Sequence, residues 1–178
     1  MFLMAMVAAA GIPVPATDQA MTAAYVDLCT RDGGVPQGVL ALADREGWRS
    51  GGPGAPKGFD PAHDRFILAG DATLELDVRE NMVRDERFDT CGITTAGPQA
   101  ALAADVQAML GFAPALHIGT SATFYATREN GVWKDASKLT RAEFAAAKAA
   151  GKFYSVVAGS TGTSSTVFSL RIRPAGSD

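Results

Sequence analysis

Leu74, Leu76 and Val78 alternate with Glu75, Asp77 and Arg79. A period of two residues puts the aliphatic set on one side of a strand and the charged set on the other. The end of the chain repeats the device, with Thr166, Phe168, Leu170 and Ile172 alternating with Val167, Ser169, Arg171 and Arg173. Strands with one dry and one wet face belong to an antiparallel sheet covered on a single side. The same alternation argues against a doubly wound nucleotide fold, whose parallel strands are buried on both faces. Further strands are expected over Arg65–Ala69, Arg87–Thr94, Ser121–Glu129, Val132–Lys134 and Phe153–Ala158. Asn130-Gly131 joins two of them as a tight hairpin, because both residues tolerate positive φ.

Helical spacing appears elsewhere. Met21, Ala24, Tyr25, Leu28 and Cys29 fall on one helical face, with Thr17 as the expected N-cap and Gly33-Gly34 as the stop. Pro36 opens a second helix that Gly47 ends, and Trp48 packs back over its last turn. A third helix is expected from Pro98, carrying Leu102, Val106, Met109 and Leu110 to a stop at Gly111. In the fourth, Thr140 and Glu143 write a capping box, and Leu139 with Phe144 a hydrophobic staple. The expected fold is α+β, an antiparallel sheet with helices packed on one face, in a single domain over residues 17–178. Residues 49–63 hold four Gly and three Pro and read as a long surface loop.

The 178 residues carry 19 acidic and 16 basic side chains, a balance that excludes nucleic-acid binding through bulk positive charge. Normal apolar content excludes disorder. Residues 1–16 contain no charge and end in two small-residue cleavage patterns, Ala8-Ala9-Ala10 and Val14-Pro15-Ala16. Too short to span a bilayer, the stretch reads as the hydrophobic core and cleavage region of a secretory signal. The basic start of such a signal is missing, the first basic residue being Arg31, and the competing reading is a buried N-terminal strand or helix. The expected location is the periplasm or the extracellular medium.

Export gives the two cysteines their meaning. In an oxidising compartment an even pair forms one disulfide, Cys29 to Cys91. The alternatives are two buried thiols or a reactive Cys29. Neither cysteine belongs to a C-x-x-C motif or has a neighbouring His in sequence, so the disulfide is favoured.

Four segments have side chains suited to chemistry. Asp60-Pro61-Ala62-His63-Asp64 flanks an imidazole with carboxylates, a set that can bind a metal or act as a general base, although Asp-Pro is also an ordinary turn opener. His117 stands alone among apolar residues. Ser160, Thr161 and Thr163 lie in a hydroxyl-rich stretch that has neither a nucleophile elbow nor a phosphate-binding loop. Its hydroxyls suit a hydrogen-bonded ligand or a plain strand-to-strand turn. From Arg79 to Arg87 three Arg alternate with three acids, a salt-linked solvated loop. No motif calls for a metal or a cofactor.

Cys29, Gly33, Ala43, Gly47-Trp48, Cys91, Leu110-Gly111 with Pro114, and Gly131-Val132-Trp133 together resemble a group of small exported alphaproteobacterial proteins without assigned function. The resemblance implies an exported, disulfide-bearing domain and brings no catalytic residue with it. The expected role is therefore non-catalytic binding of a protein or an envelope component. The rival is a small hydrolase using His63 or His117 with nearby carboxylates or hydroxyls. Export predicts that protein isolated from its native host starts near Gly11 or Thr17, read by intact mass. Retention of Met1 in a cytoplasmic protein would refute it.

Overall fold

The computed structural model describes residues 17–176; the expected signal segment, residues 1–16, lies outside them. Helix α1 (Thr17–Cys29) leads through a short 3-10 turn (Arg31–Gly34) into α2 (Pro36–Arg45). The strands are β1 (Asp64–Ala69), β2 (Ala72–Val83), β3 (Glu86–Ala96), β4 (Leu116–Ile118), β5 (Ser121–Glu129), β6 (Val132–Asp135), β7 (Phe153–Ser160) and β8 (Ser164–Pro174). Helix α3 (Leu102–Leu110) precedes β4, and α4 (Arg141–Ala149) precedes β7. All eight strands form one antiparallel sheet in the order β1-β2-β3-β8-β7-β5-β4, with β6 also paired to β5.

The register aligns the dry residues into continuous rows. Leu76, Ile93, Val167, Ala158 and Ala122 lie across one row, and Val78, Cys91, Ser169, Val156 and Phe124 across the next. Both rows are buried beneath α1, α2 and α3, which contribute Met21, Tyr25, Leu28, Val39, Ala43, Leu102 and Val106. The α+β antiparallel fold is thus the one written in the alternation. Helix α4 lies apart from the other three: Phe144 meets Phe153 edge-on at 4.8 Å. Phe153 pairs with Ile172 on the face opposite Val156 and Val167. The wet face is therefore partly roofed, and its uncovered part lies between α4 and the 49–63 loop.

The disulfide joins Cys29 to Cys91, with Cα atoms 5.5 Å apart. It ties the last residue of α1 to the middle of β3. Gly34, at φ +68, sits directly behind it, and a Cβ there would stand 2.8 Å from the Cys29 carbonyl oxygen. Here glycine is required by space as well as by backbone angle.

Other expectations hold in detail. Gly47 adopts φ +84, and the Trp48 amide donates to the Ala43 carbonyl at 3.0 Å. Asn130 and Gly131 both have positive φ. The capping box of α4 is complete: Glu143 N–H donates to Thr140 Oγ1, and Thr140 N–H donates to the Glu143 carboxylate.

Three boundaries need correction. The segment Arg79–Arg87 is no solvated loop. β2 and β3 run on to Val83 and Glu86 and turn on Arg84-Asp85, where Arg84 takes φ 59. Its charges pair within the ladder and with β8, Arg87 to Glu80 at 3.5 Å and Arg173 to Glu80 at 3.9 Å. Helix α1 ends at Cys29 rather than at the glycines, which close the 3-10 turn instead. Helix α3 begins at Leu102, not Pro98, and the Gln99 N–H ahead of it donates to the hydroxyls of Ser160 and Ser165 at 3.1 and 2.8 Å.

Closing a loop of 62 residues restricts the unfolded chain by about 4 kcal/mol. The double variant Cys29→Ser, Cys91→Ser should lose about that much stability in urea titration. Alkylation of the native protein without reductant should label no thiol. Equal midpoints for wild type and variant would refute the assigned role of the bond.

Candidate functional site

The sequence places its candidate side chains in two regions on opposite faces of the sheet. The first is an acidic cleft on the wet face. It holds about 440 Å³ between Phe59 of the long loop and Phe168 of β8, with Asp64, Glu75, Asp77 and a row of threonines between them. Cross-strand pairing puts Asp64 directly opposite Asp77. Both reach the same guanidinium: Arg79 Nη2 lies 2.9 Å from Asp64 and 2.7 Å from Asp77, and Arg79 Nη1 lies 3.7 Å from Asp60. One cation thus serves three carboxylates.

This arrangement accounts for Asp60, His63 and Asp64. The Asp64 carboxylate accepts from Asp60 N–H at 2.7 Å, and Asp60 accepts from Ala62 N–H at 3.0 Å. The two acids build a turn and hold it to Arg79. His63 is exposed; its backbone bonds to Asp60 and Val78, while the cleft is lined without its ring. Among the described residues, no three His, Cys, Asp or Glu side chains are arranged to hold a metal ion.

The charges of the cleft are out of balance. Burial, and then the Asp64 carboxylate, push the Glu75 carboxyl above its ordinary value. Burial is also the first cause for Asp77, whose pKa is raised although Arg79 opposes the shift. On the other face Asp44 shows the contrary case. Arg65 donates to it from Nε and Nη2, tying α2 to β1, and holds its carboxyl below the usual range.

The second region is a cavity of about 520 Å³ between α3 and the β4–β5 hairpin. Its floor and walls are Leu102, Ala103, Ala122, Pro98 and Pro114, and its polar groups include His117, Ser160, Thr120, Gln99 and Gln107. The structure thus brings two sequence candidates, His117 and Ser160, to one cavity. They are not arranged as base and nucleophile. Ser160 Oγ is within 2.9 Å of Ser165 Oγ and accepts from Gln99 N–H. No carboxylate lines the cavity to orient the imidazole. Thr161 and Thr163 are used inside the β7–β8 turn, where Thr161 Oγ1 accepts from the backbone of Thr163 and Ser164 at 3.2 and 3.0 Å.

Sequence reading missed Glu75, Asp77 and Phe168, which lie far from Asp64 along the chain or in separate strands. Their only signal was the alternation itself, which puts Glu75 and Asp77 on the wet face. It also missed β4, three residues long, and so the cavity beside it. Compared with protein families, with curated proteins and with solved structures, the chain finds no match.

Because the folded state binds the Glu75 proton more tightly than the unfolded chain, the ionised group weakens the fold at neutral pH. Stability is regained as pH falls through its raised pKa, and the contribution is complete below the ordinary glutamate value of 4.5. Glu75→Gln should therefore raise the urea midpoint at pH 7. The gain expected for a partly exposed charge is under about 1 kcal/mol, and it should vanish below pH 4.5. A lower midpoint at pH 7 would refute this account.

Proposed function

We propose that the chain is a non-catalytic, exported binding domain, periplasmic or secreted, whose partner is a protein or another envelope component. The observation that carries the reading is the cavity between α3 and the β4–β5 hairpin. It is floored by aliphatic side chains, rimmed by hydroxyl, amide and imidazole groups, and lined by no Asp, Glu, Lys or Arg. Binding sites typically combine an apolar surface with a few convergent polar groups. A hydrolase reading draws less support, since His63 and His117 lie in different regions and Ser160 is committed to Ser165 and Gln99.

Export is supported by the disulfide, a bond at home in oxidising compartments. Among the described residues no helix is long and apolar enough to cross a membrane. The resemblance to small exported proteins points the same way.

The test is recovery of partners from a crosslinked envelope fraction of the native host. Ala104 is exposed on α3 and lines the cavity, so Ala104→Arg fills the space without disturbing the core. A partner retained by wild type and lost by Ala104→Arg supports the reading. Turnover of chromogenic esters that disappears in His117→Ala would establish the hydrolase instead.

A further inference from the structure

The two edges of the sheet are finished differently. Beyond β1, Arg49 forms a bridge with Phe66, N–H to O in both directions at 2.8 and 3.1 Å. That bridge, with Phe59 set edge-on against Phe66 at 5.5 Å, covers the middle of the β1 edge. The β4 edge has no equivalent among the described residues. All three residues of β4 are exposed, Leu116 at 49% and Ile118 at 67%. Extended pairing begins one residue earlier, where Ala115 N–H donates to the Thr123 carbonyl at 2.8 Å. Proteins protect such edges with Lys, inward-pointing charges, Pro or bulges. Ala115-Leu116-His117-Ile118 contains no Lys, Arg, Asp, Glu or Pro.

The side chains of β4 divide between two surfaces. Leu116 and Ile118 stand opposite Thr123 and Ser121, on the wet face that also carries exposed Tyr125. His117 stands opposite Ala122, which is buried on the dry face, and both line the cavity beneath α3. A strand laid beside β4 would thus have alternate side chains above and below the sheet, one set against Leu116 and Ile118, the other toward the mouth of that cavity.

The geometry points to β4 as a strand-addition site. An extended segment of a partner protein joins the sheet there, backbone to backbone, and anchors an apolar side chain in the cavity between α3 and the β4–β5 hairpin. This rests on the binding-domain reading and names the partner's chemistry. The unpaired backbone of an edge selects an extended chain. A surface with no formal charge on β4 or around the cavity selects an uncharged segment, apolar at alternate positions. A second copy of this chain fits less well. Antiparallel pairing of β4 with itself would offer His117, a polar ring, to the apolar floor.

The experiment selects binders from a displayed library of random twelve-residue peptides on the disulfide-bonded protein. Affinity of a selected peptide is then measured by fluorescence anisotropy. Expected are uncharged peptides with apolar residues at every second position. Leu116→Lys and Ile118→Lys should each weaken them by about tenfold or more, and Leu68→Lys, on the β1 edge, should leave them unchanged. Circular dichroism of each variant checks that the fold is intact. Absence of any enriched peptide overturns the proposal, as does a concentration-dependent dimer of the protein abolished by Ile118→Lys. Peptides lost in Ala104→Arg but indifferent to both β4 substitutions would remove strand addition and leave the binding-domain reading standing.

Discussion

Every helix on the dry face takes its position from the seat of α1 on β3. The Cys29–Cys91 bond fixes that seat within a row running Val78, Cys91, Ser169, Val156, Phe124 across five strands. With the end of α1 held there, Met21 and Tyr25 are pressed onto the same face, both fully buried. Helix α3 then packs beside α1, and the 3-10 turn brings α2 around to β1 and β2. A helix laid across a sheet can slide along its grooves at little cost in apolar area. A covalent link removes that freedom, and Gly34 behind it leaves no room for the following turn to back away.

The same face changes character toward its lower end. Tyr25 brings a hydroxyl into the core beside Ser169, and burial holds its proton well above the usual tyrosine range. Further along, Asp89 in the next row and Arg173 in the row after it form an ion pair at 2.6 Å with both side chains almost inaccessible. Such a pair contributes little net stability but is expensive to break, because the survivor is left charged and unsolvated. It also fixes the hairpin of β2 and β3 against β8. Two residues on, the charged tip of that hairpin continues the ladder where a loop had been expected.

How much could be read from the chain follows from which forces are local. The capping box of α4, the turns at Gly47 and Asn130-Gly131, and the alternation of β2 are settled by neighbours in sequence, and they are legible. In β8 the faces are reversed, with Val167, Ser169 and Arg173 under the helices and Phe168 on the wet face. The disulfide needed only two cysteines and an oxidising compartment. What escaped was decided at a distance. The Arg79–Arg87 charges read as a loop until the ladder brings Arg87 diagonally to Glu80 and Arg173 near it. The segment ahead of α3 is held instead by hydroxyls about 60 residues later in the chain, which accept from Gln99 N–H. The acidic cleft is assembled from β1, β2, β3 and β8, and only the strand order brings it together. His117 and Ser160 were singled out separately, and nothing local says that they border one cavity.

Those bonds to Gln99 have a mechanical consequence. Ser160 and Ser165 grip the amide that precedes α3, and Ser165 Oγ in turn donates to the Gly97 carbonyl at 2.9 Å. On the far side of the cavity, Thr120 Oγ1 donates to the Ser160 carbonyl. Roof, floor and lip are therefore laced together at one corner, around a single serine. These bonds tie the segment leading into α3 to the β7–β8 turn and to Thr120. The shape of the cavity therefore depends at this corner on hydroxyl groups as well as on apolar packing.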